Sequence, residues 1–338
     1  MAEKKGISIN QRTAVILAVV IVVGVIGAVW YLNRPAEGKT RLIVSTTTSL
    51  FETGFLSVLK TNFEAKYPQY NVSFISQGTG LALATATRGD ADLVLVHAPS
   101  SEKVFMTNGT GVNRKIVAYN YFLIVGPAGD PVGINGLSVV DALKKIVAAG
   151  EAGTATWVSR GDKSGTNTKE IALFKLAGYD TKVLAAEKNP SGDPWYLSAG
   201  AGMTATLQLA DQKNAYTLAD VASFLNNQAN GNIHLVEYIG PSKDMLNVYS
   251  VIVISPTAKN YRGTFVAATD FEKYLISTEG QSLFGSFGVQ GQTVFKPWIP
   301  LKTAGTDTTT IQWIESYAYI DGSECPTQYR VNAGDLYK

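Results

Sequence analysis

Four short stretches of the sequence share one kind of chemistry. STTTS (45–49), SQGTG (76–80), SRGDKSGTN (159–167) and GAGMTAT (200–206) are rich in hydroxyl and glycine residues, and each sits where a helix would begin, the first three directly after strand-like runs. Such a junction offers hydroxyl donors and free backbone N–H groups at a helix N-terminus, where the helix dipole favours negative charge. Four of them aimed into one cleft would cage an anion. The ordinary alternative is that Ser and Thr only cap helices and turn the chain. Any one stretch reads that way by itself, and their recurrence favours the cage. The candidate donors are Thr47, Thr48 and Ser49, then Thr79 and Gly80, then Arg160, Ser164, Gly165 and Thr166, and finally Met203 and Thr204. Thr46 and Thr47 continue the first strand, so Thr48 and Ser49 are expected to lie closest to an anion, with Thr47 next. Arg160 offers a guanidinium able to bond two oxygens at once, or else pairs with its neighbour Asp162, which would repel an anion and is expected to orient the loop.

Covalent chemistry has few candidates. The two histidines, His97 in LVLVHAP and His234 in GNIHLVEY, lie in apolar strand-like runs with no Ser or Cys nucleophile motif beside them. There is no G-x-S-x-G, H-E-x-x-H or Walker A motif, and the lysine of GDKSGT is misplaced for a phosphate loop. Asp90 and Asp92 in RGDAD suit turn chemistry before a strand better than a metal site. The single cysteine, Cys325, provides neither a disulfide framework nor a thiolate metal site. Net charge is +2 with Lys and Arg scattered, which argues against a nucleic-acid partner. The expectation is a binding protein without catalysis, cofactor or free metal cation.

The elements that must position these loops alternate. RLIVS, YNVSFIS and ADLVLVHAP read as strands, each followed by a helical stretch, and Phe55, Leu56, Leu59 and Phe63 recur at helical spacing. Alternation of this kind predicts an α/β fold with a mainly parallel sheet. Two runs, NYFLIVGP (120–127) and NVYSVIVISP (247–256), bracket a middle region with αβ units of its own. In it SVVDALKKIVAAG starts at a Ser138 cap, and TLADVASFL is read as a helix starting at Thr217. Two crossings around an inserted unit imply two lobes, 41–124 with 250–298 and 125–249, and a cleft between them that hinges near residues 125 and 250. Beyond residue 298 periodicity weakens, and 299–338 is read as an extension forming an added strand pair or an assembly element.

The N-terminus carries a different signal. AVILAVVIVVGVIGAVWYL (14–32) has no charged residue, is preceded by Lys4, Lys5 and Arg12, and is long enough to approach the thickness of a hydrocarbon core. It predicts a single-pass membrane anchor over 13–32, with a cytoplasmic or processed leader over 1–12, a linker over 33–40 and the globular body outside the cytoplasm. No A-x-A site follows the apolar run. EKKGIS (3–8) resembles the processing signal of archaeal type IV pilin-like proteins, cleaved between Gly6 and Ile7, which raises self-assembly through the N-terminal helix or the C-terminal tail as an alternative.

Longer stretches carry a second resemblance. STTTSLFETGFL, GDADLVLVHAP, GVNRKIVAYNYFLIVGP, WVSRGDKSGTNTKE, WYLSAGAGMTATLQLADQKNAYTLAD and ISTEGQSLFGSFGVQGQTVFKP resemble, in order over residues 41–298, the TupA-type tungstate-binding proteins of ABC importers. The resemblance implies a type II periplasmic-binding-protein fold, tungstate held between two lobes, and delivery to an ABC-type permease. It carries the TTTS stretch onto Thr46–Ser49 and SRGD-x-SGT onto Arg160, Ser164, Gly165 and Thr166. A fully deprotonated tetrahedral dianion needs donors on every side and no acceptor, whereas hydrogen phosphate rewards a carboxylate. Molybdate matches tungstate in charge and closely in size, so the preference for tungstate rests on the resemblance. A molybdate or phosphate receptor of the same fold and a phosphoester hydrolase using the same cage are the competing expectations.

Overall fold

The computed structural model describes residues 38–320 and Glu324. The chain divides into Met1–Thr40 and a compact unit, Arg41–Lys338. The expected leader and membrane anchor, 1–32, lie outside the described residues, among which no helix is long and apolar enough to cross a membrane.

Strand and helix alternate from the start of the compact unit. β1 (Thr40–Thr47) runs into α1 (Thr48–Glu52) and α2 (Phe55–Lys66), β2 (Tyr70–Gln77) into α3 (Thr79–Thr87), and β3 (Leu93–Val96) into α4 (Pro99–Thr107). The long β4 (Gly111–Gly126) leads to α5 (Val139–Glu151), β5 (Trp157–Ser159), α6 (Gly165–Leu176), the short α7 (Thr181–Leu184), β6 (Tyr196–Ser198) and α8 (Met203–Gln212). Then come β7 (Tyr216–Asp220), α9 (Val221–Ala229), β8 (Val236–Ile239) and β9 (Leu246–Ile254). The chain continues through α10 (Phe265–Ile276), α11 (Thr278–Ser286), the two-residue strands β10 (Gly288–Val289), β11 (Gln292–Thr293) and β12 (Lys296–Pro297), and the helices α12 (Trp298–Ala304) and α13 (Thr308–Ala318).

The main sheet has the order β2-β1-β3-β9-β4-β7-β5-β6. It is mixed, not mainly parallel as the alternation predicts. β1 pairs parallel with β3, and β5 pairs parallel with both β7 and β6, but β3–β9, β9–β4 and β4–β7 are antiparallel. The two antiparallel central strands are the apolar runs that bracket the middle region. β4 pairs with β9 over Gly111–Tyr121 and with β7 over Phe122–Val125, so one continuous strand passes from one half of the sheet to the other.

Packing follows the sequence pattern in most places. Phe55, Leu56, Leu59 and Phe63 of α2 are fully buried, and Phe63 meets Phe271 edge-on at 4.8 Å. Burial of each such side chain contributes about 1.5–3 kcal/mol. Ser138 caps α5 by accepting from the Asp141 N–H at 3.1 Å, and the helix buries Ala142, Leu143 and Ile146. Asp92 accepts from the Ile43 and Thr264 N–H groups, and Asp90 pairs with Arg88, which is turn chemistry.

Two expectations are corrected. Tyr216–Asp220 is a strand, and helix α9 starts after it, capped by Asp220, which accepts from the Ser223 N–H at 2.9 Å. Thr217 does not cap a helix because it lies inside the sheet, pairing with Val125 of β4 while its hydroxyl donates to the Val158 carbonyl at 2.7 Å. The described part of the C-terminal extension is a helical pair, not a strand pair. Asp307 caps α13, whose Ile311, Ile314 and Ala318 share a hydrophobic cluster with Trp157, Phe174 and Trp298. Beyond it, Glu324 bonds Arg114: its carboxylate accepts from the guanidinium at 2.8 Å and its carbonyl accepts from the Arg114 N–H at 3.1 Å. The fully buried guanidinium also donates to Glu102 at 2.8 Å.

Candidate anion-binding site

The first candidate loop divides its hydroxyls between scaffold and site. Ser45 donates to the Ala82 carbonyl at 3.1 Å and Thr46 to the Leu95 carbonyl at 2.8 Å, so both serve packing. Thr47 caps α1, accepting from the Leu50 N–H at 3.4 Å. Thr48, the first helical residue, accepts from Arg160 Nη2 at 2.5 Å.

Arg160 is 1% exposed and links its own loop to the start of α1. Its Nε donates to Asp162 at 3.0 Å, its Nη1 to Thr166 at 3.5 Å and its Nη2 to Thr48. The salt bridge to Asp162 therefore coexists with hydroxyl contacts, and Asp162 also accepts from the Ser164 N–H, which makes it an organiser of the loop. A hydroxyl that accepts from a guanidinium keeps its own proton for a further acceptor. Thr48 and Thr166 thus each retain a proton to donate. Ser164 caps α6 by accepting from the Asn167 N–H at 3.2 Å, and it too keeps its proton.

The N-terminus of α3 meets the same loop. A Cβ on Gly78 would stand 3.4 Å from the Asp162 carbonyl oxygen, and one on Gly80 would stand 3.4 Å from that of Lys163. The Thr79 hydroxyl is buried and has no hydrogen-bond partner among the described residues. A buried, unmatched hydroxyl is costly to leave unmade. The starts of α1, α3 and α6 therefore meet at the loop that carries the buried Arg160.

The fourth start, that of α8, is engaged differently. Met203 is fully buried in an apolar cluster. The Glu52 carboxylate accepts from the Thr204 N–H at 3.3 Å and from the Thr204 hydroxyl at 3.0 Å. This helix end already holds an anion supplied by the chain, so the Thr204 N–H and hydroxyl are engaged, and Met203 could contribute only its backbone N–H.

His97 is the residue that sequence reasoning placed outside the site. It is 2% exposed, with Nδ1 2.8 Å from Asn247 Oδ1 and Nε2 3.3 Å from Ser49 Oγ. The tautomer follows from a chain of amides. Asn120 donates to the Val294 carbonyl, which leaves its oxygen to accept from Asn247 Nδ2 at 2.8 Å. Asn247 then presents its own oxygen to His97, so Nδ1 carries the proton and Nε2 is an acceptor. Ser49 donates to it, and its hydroxyl faces the ring; what it can offer an anion is its backbone N–H. Burial holds the imidazole neutral, lowering its pKa from 6.5 to about 4 with the Arg160 charge acting in the same direction, against the opposing influence of Asp220 and Asn247. A Cβ on Gly165 would lie 2.8 Å from His97 Cε1, so only glycine lets α6 start this close. No local sequence signal marks His97, because Ser49 and Asn247 lie 48 and 150 residues away. His234, by contrast, is exposed and pairs with Asp211.

A mixed-sheet α/β body with helix starts meeting at the loop of a buried arginine defines a binding protein of the PBP superfamily, and the model of that superfamily domain matches residues 34–279. A Haloferax volcanii protein described as an ABC transporter anion-binding protein is 42% identical over 78% of this chain and 74% of its own. The tungstate-binding protein TupA of Peptoclostridium acidaminophilum is 35% identical over 77% of this chain and 87% of its own. Among solved structures, the tungstate-binding protein TupA from Desulfovibrio alaskensis G20 is 33% identical, covers 77% of this chain and 99% of that one, and superposes with a TM-score of 0.61. The chain belongs to the TupA family of ABC-importer binding proteins, which are not enzymes.

Proposed function

We propose that this chain captures tungstate in the cage formed by the starts of α1, α3 and α6 and hands it to an ABC-type permease. The observation that carries the reading is the donor balance around Arg160. Thr48, Thr166 and Ser164 are left as donors, and the buried Thr79 hydroxyl is unmatched. The nearby carboxylate, Asp162, is held by Arg160 and the Ser164 N–H. Such a surface suits a dianion that needs no acceptor. The curated and structural relatives support tungstate as that dianion. Molybdate has the same charge and shape and is the competing cargo.

Thr47, Thr48, Ser49, Thr79, Gly80, Arg160, Ser164, Gly165 and Thr166 form the proposed site. Ser49, Gly80 and Gly165 take part through their backbones. The two lobes, 41–124 with 250–298 and 125–249, would close by rotation about the central strands, and the segment 13–32 would tether the protein outside the cytoplasm. Tungstate titration of the wild type against Arg160→Ala and Arg160→Lys tests the reading. One tight site per chain is expected, weakened about 100-fold or more by alanine and less by lysine, since charge-assisted contacts contribute roughly 1.5–3 kcal/mol each. Tight phosphate binding with no tungstate binding would overturn it.

A further inference from the structure

Beside His97 and the start of α6 lies a cavity of about 610 Å³ that extends away from the oxyanion site along α6 to α13. It is lined by His97 and Gly165 on one side and by Lys169, Leu173 and Leu176 of α6 and Tyr317 of α13 on the others. Lys169 is 7% exposed, and among the described residues its ammonium makes no hydrogen bond and no ion pair, resting instead 4.4 Å from the Tyr317 ring centre. A buried ammonium without a carboxylate partner gives up its hydration for little return. Burial accordingly lowers its pKa from 10.5 to about 8, which leaves it mostly protonated at neutral pH. Asp244, on the same wall, acts on Lys169 in the opposite direction to burial, and with Lys103 and Lys243 the lining carries three cations to one carboxylate. The wall thus has an excess of positive charge, and Lys169 is its buried cation.

We infer that this cavity is a second ligand site, for a small organic carboxylate with an apolar body. The carboxylate would pair with Lys169, and its alkyl or aryl portion would cover Leu173, Leu176 and the face of Tyr317. The volume lies within the usual 300–1,000 Å³ of small-molecule sites and is far larger than a tetrahedral oxyanion needs. The walls explain the rest of the specificity: one buried cation beside the apolar surface of Leu173, Leu176 and Tyr317 matches a single terminal charge on an apolar body, whereas a multiply charged oxyanion needs donors on all sides.

The test is calorimetric titration of the full-length chain with 3-phenylpropanoate and, as the neutral control, 3-phenylpropanamide. The acid is expected to bind at least tenfold more tightly than the amide. Lys169→Met should remove that preference, and Lys169→Arg should keep it within about threefold. Leu176→Arg, which places a competing cation at the exposed apolar rim while leaving Lys169 in place, should weaken binding of the hydrophobic acid at least threefold through loss of apolar contact, and it decides the matter if Lys169→Met fails to fold. Absence of acid binding to the wild type, equal binding of acid and amide, or unchanged binding in the variants overturns the inference. A wild type that takes tungstate but neither probe overturns it while leaving the oxyanion reading intact.

Discussion

The carboxylate of Glu52 sits at the N-terminus of α8, bonding both the backbone N–H and the hydroxyl of Thr204. Glu52 closes α1, the helix whose first residue touches Arg160, and its own carbonyl accepts from Asn226 of α9 at 3.2 Å. It joins elements far apart in sequence by supplying the negative charge that a helix start favours. Glu52→Ala is expected to lower unfolding stability by about 1–2 kcal/mol and to weaken tungstate binding several-fold, because α1 loses its tie to α8. Glu52→Gln should fall between. Urea denaturation and calorimetry on the same preparations check both effects.

Thr48 and Ser49 are neighbours with unequal parts. The Thr48 hydroxyl is oriented by Arg160, whereas the Ser49 hydroxyl is spent on His97. Thr48→Ala should weaken tungstate binding at least tenfold, the equivalent of about 1.4 kcal/mol, while Ser49→Ala should cost less than about threefold. Equal losses would show that the Ser49 hydroxyl leaves the imidazole when the anion arrives.

Gly165 cannot gain a side chain without moving His97 or the start of α6. Gly165→Ala is expected to cost roughly 1–3 kcal/mol of stability through overpacking and to weaken the anion site in parallel, since the N–H groups of α6 would be displaced. Thermal unfolding with and without tungstate measures the two together.

His97 sets a pH dependence. Its pKa lies lower in the folded protein, near 4, than in the unfolded chain, near 6.5, so between these values the unfolded state binds more protons. Stability should therefore fall as pH drops from 6.5 towards 4, by at most about 1.4 kcal/mol per pH unit from this group. His97→Gln should show a shallower decline over that window and behave like the wild type above it. Denaturation midpoints at pH 7 and pH 5 make the comparison.

How far the site could be read from sequence varied with the range of the interactions. The strand-to-helix junction at Thr47 is local chemistry and is legible, as is the Ser138 cap. Thr217 misleads because its spacing to Asp220 imitates a capping box while β4, a non-local partner, claims it for the sheet. The start of α8 looks like its three counterparts, and only the folded chain brings Glu52 to it. The tail helix α13 carries apolar residues at Ile311, Ile314 and Ala318, a short period easily lost among its threonines. His97 needed Asn120, Asn247 and Ser49 in one place before its role was visible.

The pairing of Arg114 with Glu324 has a consequence for how the molecule is made. A chain emerging N-terminus first delivers Arg114 and Glu102 close together in time, 12 residues apart, but Glu324 only 210 residues later. Until then one arm of the guanidinium and the Arg114 backbone N–H lack the partners they have in the finished protein. These contacts thus form only after α13 has been synthesised; the clasp is fastened from the C-terminal side, after the residues of the cage have already been laid down.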